Sequence, residues 1–213
     1  MSLLFLAMLP FAGSIVAAVL PGRNAASAWS GLVAIAGAVG AARYFPQVRD
    51  GGVVVERLSW IPSLGLDFTL RMDGFAWMFA MLVLGIGALV ILYARYYMSR
   101  TDPVPRFFSF LLAFMGAMLG IVLSGNLILL VFFWELTSLL SFLLIGYRHQ
   151  TAQARDGARM APAVTSSGGL CLFAGVLVLG HIVGSYELDR VLASGATIRA
   201  HPLYVPTLIL VLL

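Results

Sequence analysis

The sequence contains no lysine. All 13 basic residues are arginines, and they stand singly between long neutral stretches instead of forming a patch. A nucleic-acid surface clusters its basic groups on one face, so no nucleic-acid partner is expected. Charge of either sign is scarce. Charged residues make up 10% of the chain, whereas a soluble domain carries about 25%. A folded surface with so few charges could not be kept in water. There is one cysteine, Cys171, inside an apolar run. An internal disulfide is excluded, no metal-ligand spacing includes Cys171, and it is read as a buried, unreactive thiol. No phosphate loop, nucleophile triad, zinc cluster or haem-ligand pair can be found. Neither a cofactor nor a metal is therefore expected.

What fills the sequence is apolar. Of 213 residues, 61% are hydrophobic, and the mean hydropathy is +0.99. Crossing a bilayer as a helix takes about 20 apolar residues. Six stretches meet that need: 1–22, 25–42, 74–94, 107–125, 126–147 and 160–186. A seventh begins near Tyr204 and is still apolar at Leu213. The expectation is an all-α membrane protein with six complete spans and a truncated seventh, forming one transmembrane domain over 1–213 of a longer subunit. The first stretch lacks the positive n-region of a signal peptide and its apolar run is too long, so it is read as a retained span.

Punctuation supports these divisions. Pro21-Gly22 closes the first span, and Asp73 is a plausible N-cap for the third. Asp102-Pro103-Val104-Pro105 and Ser124-Gly125-Asn126 separate the next ones. Pro162 fits the first turn of the sixth, where its missing N–H costs nothing. Between spans two and three, Leu66, Phe68, Leu70 and Met72 alternate with Asp67, Thr69, Arg71 and Asp73. Period-two patterning marks a strand with one buried face. Residues 53–60 are a weaker strand, and Ile61-Pro62-Ser63-Leu64-Gly65 supplies turn residues. A small β-hairpin over about 53–73, lying on the membrane surface, is expected.

Charge bias sets an orientation. Loops on the side away from Met1 carry seven arginines against Asp102 and Asp156, a net charge of +5. Loops on the Met1 side carry six arginines against six acids, a net charge of zero. The arginine-rich side should be cytoplasmic, leaving the N-terminus and the hairpin extracytoplasmic.

Glu135 is the acid inside a span, near the middle of 126–147. A charged group at the centre of a membrane helix costs roughly 2.5–3.5 kcal/mol on insertion scales. A carboxyl group has an escape, because apolar surroundings favour its protonated form. A group that can hold or lose a proton there is what a proton relay needs. Thr137, Ser138 and Ser141 could line a polar stripe beside it, holding water or orienting the carboxyl. The structural alternative is an acid that stays protonated or pairs with a cation on another helix, and no span of this chain offers a basic partner. His181, near the outward end of the sixth span, could shuttle protons or could be a hydrated interfacial residue. Gly116 and Gly120 form a G-x-x-x-G, which suits close helix packing. Thr165, Ser166, Ser167, Gly168 and Gly169 suit either a tight crossing or a hydrated cavity. Trp29, Tyr44, Trp60, Tyr93, Tyr96, Tyr97, Tyr147, Tyr186 and Tyr204 fall mostly near span ends, as in an aromatic belt.

Residues 114–126, reading FMGAMLGIVLSGN, are followed by Phe133-Trp134-Glu135-Leu136-Thr137-Ser138 and by SFLLIGY over 141–147. This run strongly resembles the large A subunit of Mrp-type multisubunit monovalent cation/proton antiporters. The hairpin with Trp60-Ile61-Pro62 and Asp73-Gly74 extends the resemblance, and 180–213 looks like the proteobacterial form described as a potassium/proton antiporter. The related proton-pumping subunits of respiratory complex I are less similar. The resemblance implies that Glu135 is the proton-carrying glutamate of the family's fifth helix. It also implies a basic partner, a lysine on a broken seventh helix, which would lie past Leu213 or on another subunit. Implied partners are other membrane subunits, the lipid bilayer, protons and Na+ or K+, in a bacterial inner membrane. The competing reading is a proton-translocating membrane subunit of a complex I-like NADH:quinone oxidoreductase or a related hydrogenase. A third makes the chain a structural piece without a transport role.

Overall fold

The computed structural model describes residues 2–61, 66–99, 102–148 and 152–212, and within them the side chains of all but 60–61, 66, 148 and 152–164. The elements are α1 (Leu3–Val19), α2 (Arg23–Ala42), α3 (Phe45–Val48), β1 (Val54–Ile61), β2 (Leu66–Met72), α4 (Gly74–Tyr97), α5 (Val104–Leu123), α6 (Leu127–Ile145), α7 (Ala152–Val183), α8 (Leu188–Ala193), α9 (Gly195–Ala200) and α10 (Tyr204–Leu212). Among the described residues, five helical segments are long and apolar enough to cross a membrane: Arg23–Val48, Gly74–Tyr97, Val104–Leu123, Leu127–Ile145 and Thr165–Val183. Leu3–Val19 is a shorter apolar helix of 17 residues, and α10 has 9 residues.

Helix α5 is the central post, packing on α1, α2, α4 and α6, while α7 packs on α6 and α10. Its sequence explains that position. Leu111, Leu112, Met115, Leu119 and Leu123 are all buried, and the small residues Ala113, Gly116, Ala117 and Gly120 let neighbours come close. A Cβ at Gly116 would lie 2.8 Å from Phe11 of α1, and one at Gly120 would lie 2.3 Å from Phe133 of α6. The G-x-x-x-G motif therefore seats aromatic rings from two different helices. On the outer face Ile15, Leu89 and Leu170 are exposed, the pattern of a bundle solvated by lipid.

The hairpin forms over the expected residues. β1 and β2 pair antiparallel, with Val54 opposite Met72 and Leu58 opposite Phe68. Leu70 and Met72 are fully buried, as the period-two pattern requires. The connecting residues 62–65 lie outside the described residues. Glu56 of β1 reaches the start of α1 and accepts the backbone N–H groups of Leu3 at 2.6 Å and Leu4 at 3.3 Å. A carboxylate there satisfies donors that the first helical turn leaves without partners and complements the helix dipole. At the other end of the bundle the Arg23 guanidinium donates to the Arg95 carbonyl oxygen, joining α2 to α4.

Some expectations need correction. Pro162 does not open its helix. α7 starts at Ala152, so Pro162 lies in its interior. Hydropathy marks where an apolar span begins, whereas Ala, Gln, Arg and Met in 152–160 are good helix formers that extend it outward. Tyr44 is buried in the core, and Trp29 donates its indole N–H to the Gly13 carbonyl at 2.9 Å, so both tie elements together. Cys171 is half-buried.

Candidate functional site

Helix α6 starts at a strong cap. Asn126 has extended backbone, and its side-chain oxygen accepts the Ile128 N–H at 2.9 Å. Glu135 is the ninth of the helix's 19 residues, about 13 Å along the axis from that cap at ~1.5 Å per residue. Its Oε1 is enclosed and has no hydrogen-bond partner, the one buried side-chain oxygen or nitrogen in that state among the described residues. Most buried polar atoms in folded proteins have a hydrogen-bond partner, so an enclosed carboxyl oxygen without one calls for an explanation. The oxygen points across the α6–α7 contact at Gly169.

The three hydroxyl residues expected beside Glu135 come together one step around the helix. Thr137, Ser138 and Ser141 line a cleft of about 360 Å³ with Phe114, Trp134, Thr165 and Gly168. Trp134, Thr137, Ser138 and Ser141 are related by helical spacings of three and four, so they share one face. Thr137 and Ser138 donate to the Trp134 carbonyl oxygen at 2.7 and 3.3 Å. The hydroxyls thus line one side of a cleft next to the carboxyl without binding it. The small residues at the start of the sixth span divide between two tasks: Thr165 and Gly168 face this cleft, and Gly169 faces Glu135.

His181 is elsewhere. It is exposed and lines a separate cavity of about 640 Å³ at the hairpin end, with Arg57, Asn126, Tyr186, Glu187 and Arg190. Among the described residues no three His, Cys, Asp or Glu side chains come together as a metal site would need.

Glu187 was legible only as a loop acid, yet it joins three parts of the chain. Its Oε1 accepts from Asn126 Nδ2 at 2.9 Å and from Thr69 Oγ1 at 3.1 Å, and its Oε2 lies 3.8 Å from Arg57. Backbone bonds run alongside, with the Gly125 N–H donating to Thr69 and the Leu127 N–H to Tyr186. Next to this joint Arg71 bonds both Asp73 and Asp189. The hairpin, the α5–α6 turn and the α7–α8 linker form one polar knot at the head of the helix that carries Glu135.

Known proteins resemble the chain along most of its length. Residues 59–108 match the family described as NADH-Ubiquinone oxidoreductase (complex I), chain 5 N-terminus. Residues 124–212 match that described as NADH:quinone oxidoreductase/Mrp antiporter, TM. A protein of Rhizobium meliloti (strain 1021), named as the probable A/B subunit of a K(+)/H(+) antiporter, is 60% identical over 97% of this chain and 21% of its own length. The chain is therefore a relative of the A subunits of multisubunit cation/proton antiporters. The A subunit of the Na(+)/H(+) antiporter of Alkalihalophilus pseudofirmus is 42% identical over 80% of the chain and 21% of its own length. Among solved structures, the Mrp complex from Dietzia sp. DQ12-45-1b matches with a TM-score of 0.84 and 27% identity, over 99% of this chain and 23% of that one. The chain spans about a fifth of the length of these relatives.

Proposed function

We propose that this chain is a transmembrane portion of one subunit of a multisubunit monovalent cation/proton antiporter, and that Glu135 is its intramembrane proton-relay residue. The observation that carries this reading is the Glu135 Oε1 atom, enclosed at mid-helix without a hydrogen-bond partner. The hydroxyl-lined cleft beside it would hold the water that brings and removes the proton. Ser138 and Ser141 follow Glu135 on α6, while Thr165 precedes Gly169 on α7. The cleft therefore lies between the carboxyl and the arginine-rich end, so exchange would run toward that side, which the charge bias makes cytoplasmic. The setting is a bacterial inner membrane, with the N-terminus and hairpin extracytoplasmic. The names of the relatives support Na+ or K+ as the exchanged cation, and the most identical of those named above supports K+. Other membrane subunits of the complex are the partners.

The test is Glu135→Gln and Glu135→Ala in the full-length complex, reconstituted in vesicles, with cation-driven proton flux read at matched expression. Both variants are expected to lose flux. Wild-type flux in both would sink the relay, and retention in Glu135→Gln alone would assign the side chain a structural role. A second reading, a proton-translocating membrane subunit of a redox complex, draws on the complex I family matched by residues 59–108. Genes for peripheral redox subunits beside this one would favour it, and small membrane-protein neighbours would favour the antiporter.

A further inference from the structure

We propose that Gly169 of α7 is the positioning residue for the Glu135 carboxyl group. Its missing side chain makes the pocket in which Oε1 rests, so the α6–α7 contact fixes where the acid exchanges its proton. This inference rests on reading Glu135 as a proton relay.

The geometry is specific. A Cβ at position 169 would lie 1.7 Å from Glu135 Oε1, 2.9 Å from Cδ and 3.4 Å from Trp134 Cδ1. Cβ atoms essentially never come within 3.0 Å of a heavy atom belonging to a non-neighbouring residue. The carboxyl oxygen thus fills the space of an alanine methyl group, and Trp134 borders the same space. The backbone at 169 does not ask for glycine, because positive φ occurs only at Gly22, Gly51 and Gly184 among the described residues. Glycine inside a helix is less favourable than alanine. What glycine supplies here is room.

The kind of neighbour decides what a substitution does. At Gly120 the obstacle is the buried ring of Phe133, held by packing. At Gly169 it is the free end of a flexible side chain. Alanine at 169 would leave the helices in place and push the carboxyl out of its pocket. An acid one methylene shorter would withdraw from α7 and tolerate the alanine.

The experiment uses the full complex in vesicles, with cation-driven proton flux measured across pH for Gly169→Ala, Glu135→Asp, Glu135→Gln and Gly169→Ala/Glu135→Asp. Gly169→Ala is expected to assemble normally, to lose about tenfold or more in flux, since moving a reacting group by about 1 Å can cost on the order of 100-fold, and to shift the pH profile. The double variant is expected to retain more flux than the product of the fractions retained by Gly169→Ala and Glu135→Asp alone, the sign of direct coupling. Wild-type flux and pH profile in Gly169→Ala, or strictly multiplicative losses, would overturn the positioning role while leaving the relay intact provided Glu135→Gln is inactive. Full activity in Glu135→Gln would remove both. If Gly169→Ala failed to assemble, assembly of Gly169→Ala/Glu135→Ala would decide: recovery places the clash at the carboxyl, and continued failure assigns Gly169 to helix packing and overturns the proposal.

Discussion

Asn126 and Glu187 lie 61 residues apart in the chain and meet at 2.9 Å, the Asn126 side-chain amide donating to Glu187 Oε1. The other end of the same amide caps α6 through the Ile128 N–H. One side chain therefore starts the helix that carries Glu135 and ties it to the segment that follows α7. Thr69 brings the hairpin to the same carboxylate. The Arg57 contact adds little, because that arginine side chain is 60% exposed and exposed ion pairs contribute at most about 1 kcal/mol.

Removing this acceptor should loosen the joint. Glu187→Ala leaves the Asn126 amide and the Thr69 hydroxyl without their acceptor, at a cost of about 1–3 kcal/mol. Glu187→Gln should cost less, because an amide oxygen still accepts. The apparent Tm of the detergent-solubilised complex, read by size-exclusion chromatography after heating, should fall in the order wild type, Gln, Ala. An unchanged Tm for the alanine variant would mean that the joint carries no stability.

A second prediction concerns acid. Burial disfavours the charged form of Asp73, but the Ala76 N–H at the head of α4 and the Arg71 guanidinium outweigh it. Together they hold the carboxyl below its ordinary value of 3.8. A depressed carboxylate contributes stability that is fully present above the ordinary value and is lost as pH falls through the lower, folded-state value. Wild-type protein should therefore lose stability at the hairpin–α4 junction as pH drops below the ordinary carboxylate range. Asp73→Asn should be less stable at neutral pH and should show a flatter decline in acid. Limited proteolysis of the hairpin across that range reads this directly, and parallel curves for the two proteins would refute the linkage.

Sequence alone located the apolar helices and the hairpin because both signals are local. A span shows in its hydropathy, and a strand with one buried face shows at Leu70 and Met72. The pattern misassigned Thr69 to the open face, because Thr69 is 2% exposed and its partners, Gly125 and Glu187, are distant in sequence. Glu135 stood out because a carboxyl in an apolar helix is costly by itself. The role of Gly169 did not stand out. A glycine among small residues reads as packing or as cavity, and only the α6–α7 register shows that Gly169 meets the carboxyl while Gly168 meets the cleft. The start of α7 was missed because charged helix formers extend a helix beyond its apolar part without any hydropathy signal.

The two glycines Gly120 and Gly85 should respond oppositely to alanine. A Cβ at Gly120 would lie 2.3 Å from Phe133 Cδ1, and Phe133 is only 2% exposed, in contact with the rings of Phe11 and Phe68. The ring has nowhere to move, so Gly120→Ala should cost about 1–3 kcal/mol as overpacking and lower the Tm. At Gly85 on α4 a Cβ would meet nothing within 4 Å. Gly85→Ala should leave the Tm unchanged or raise it slightly, because alanine favours the helix by about 0.5–1 kcal/mol. The comparison separates the fit between α5 and α6 from helix propensity, since both substitutions add the same methyl group to a helix interior. Equal Tm values for the two variants would mean that the Gly120–Phe133 contact does not set the spacing of α5 and α6.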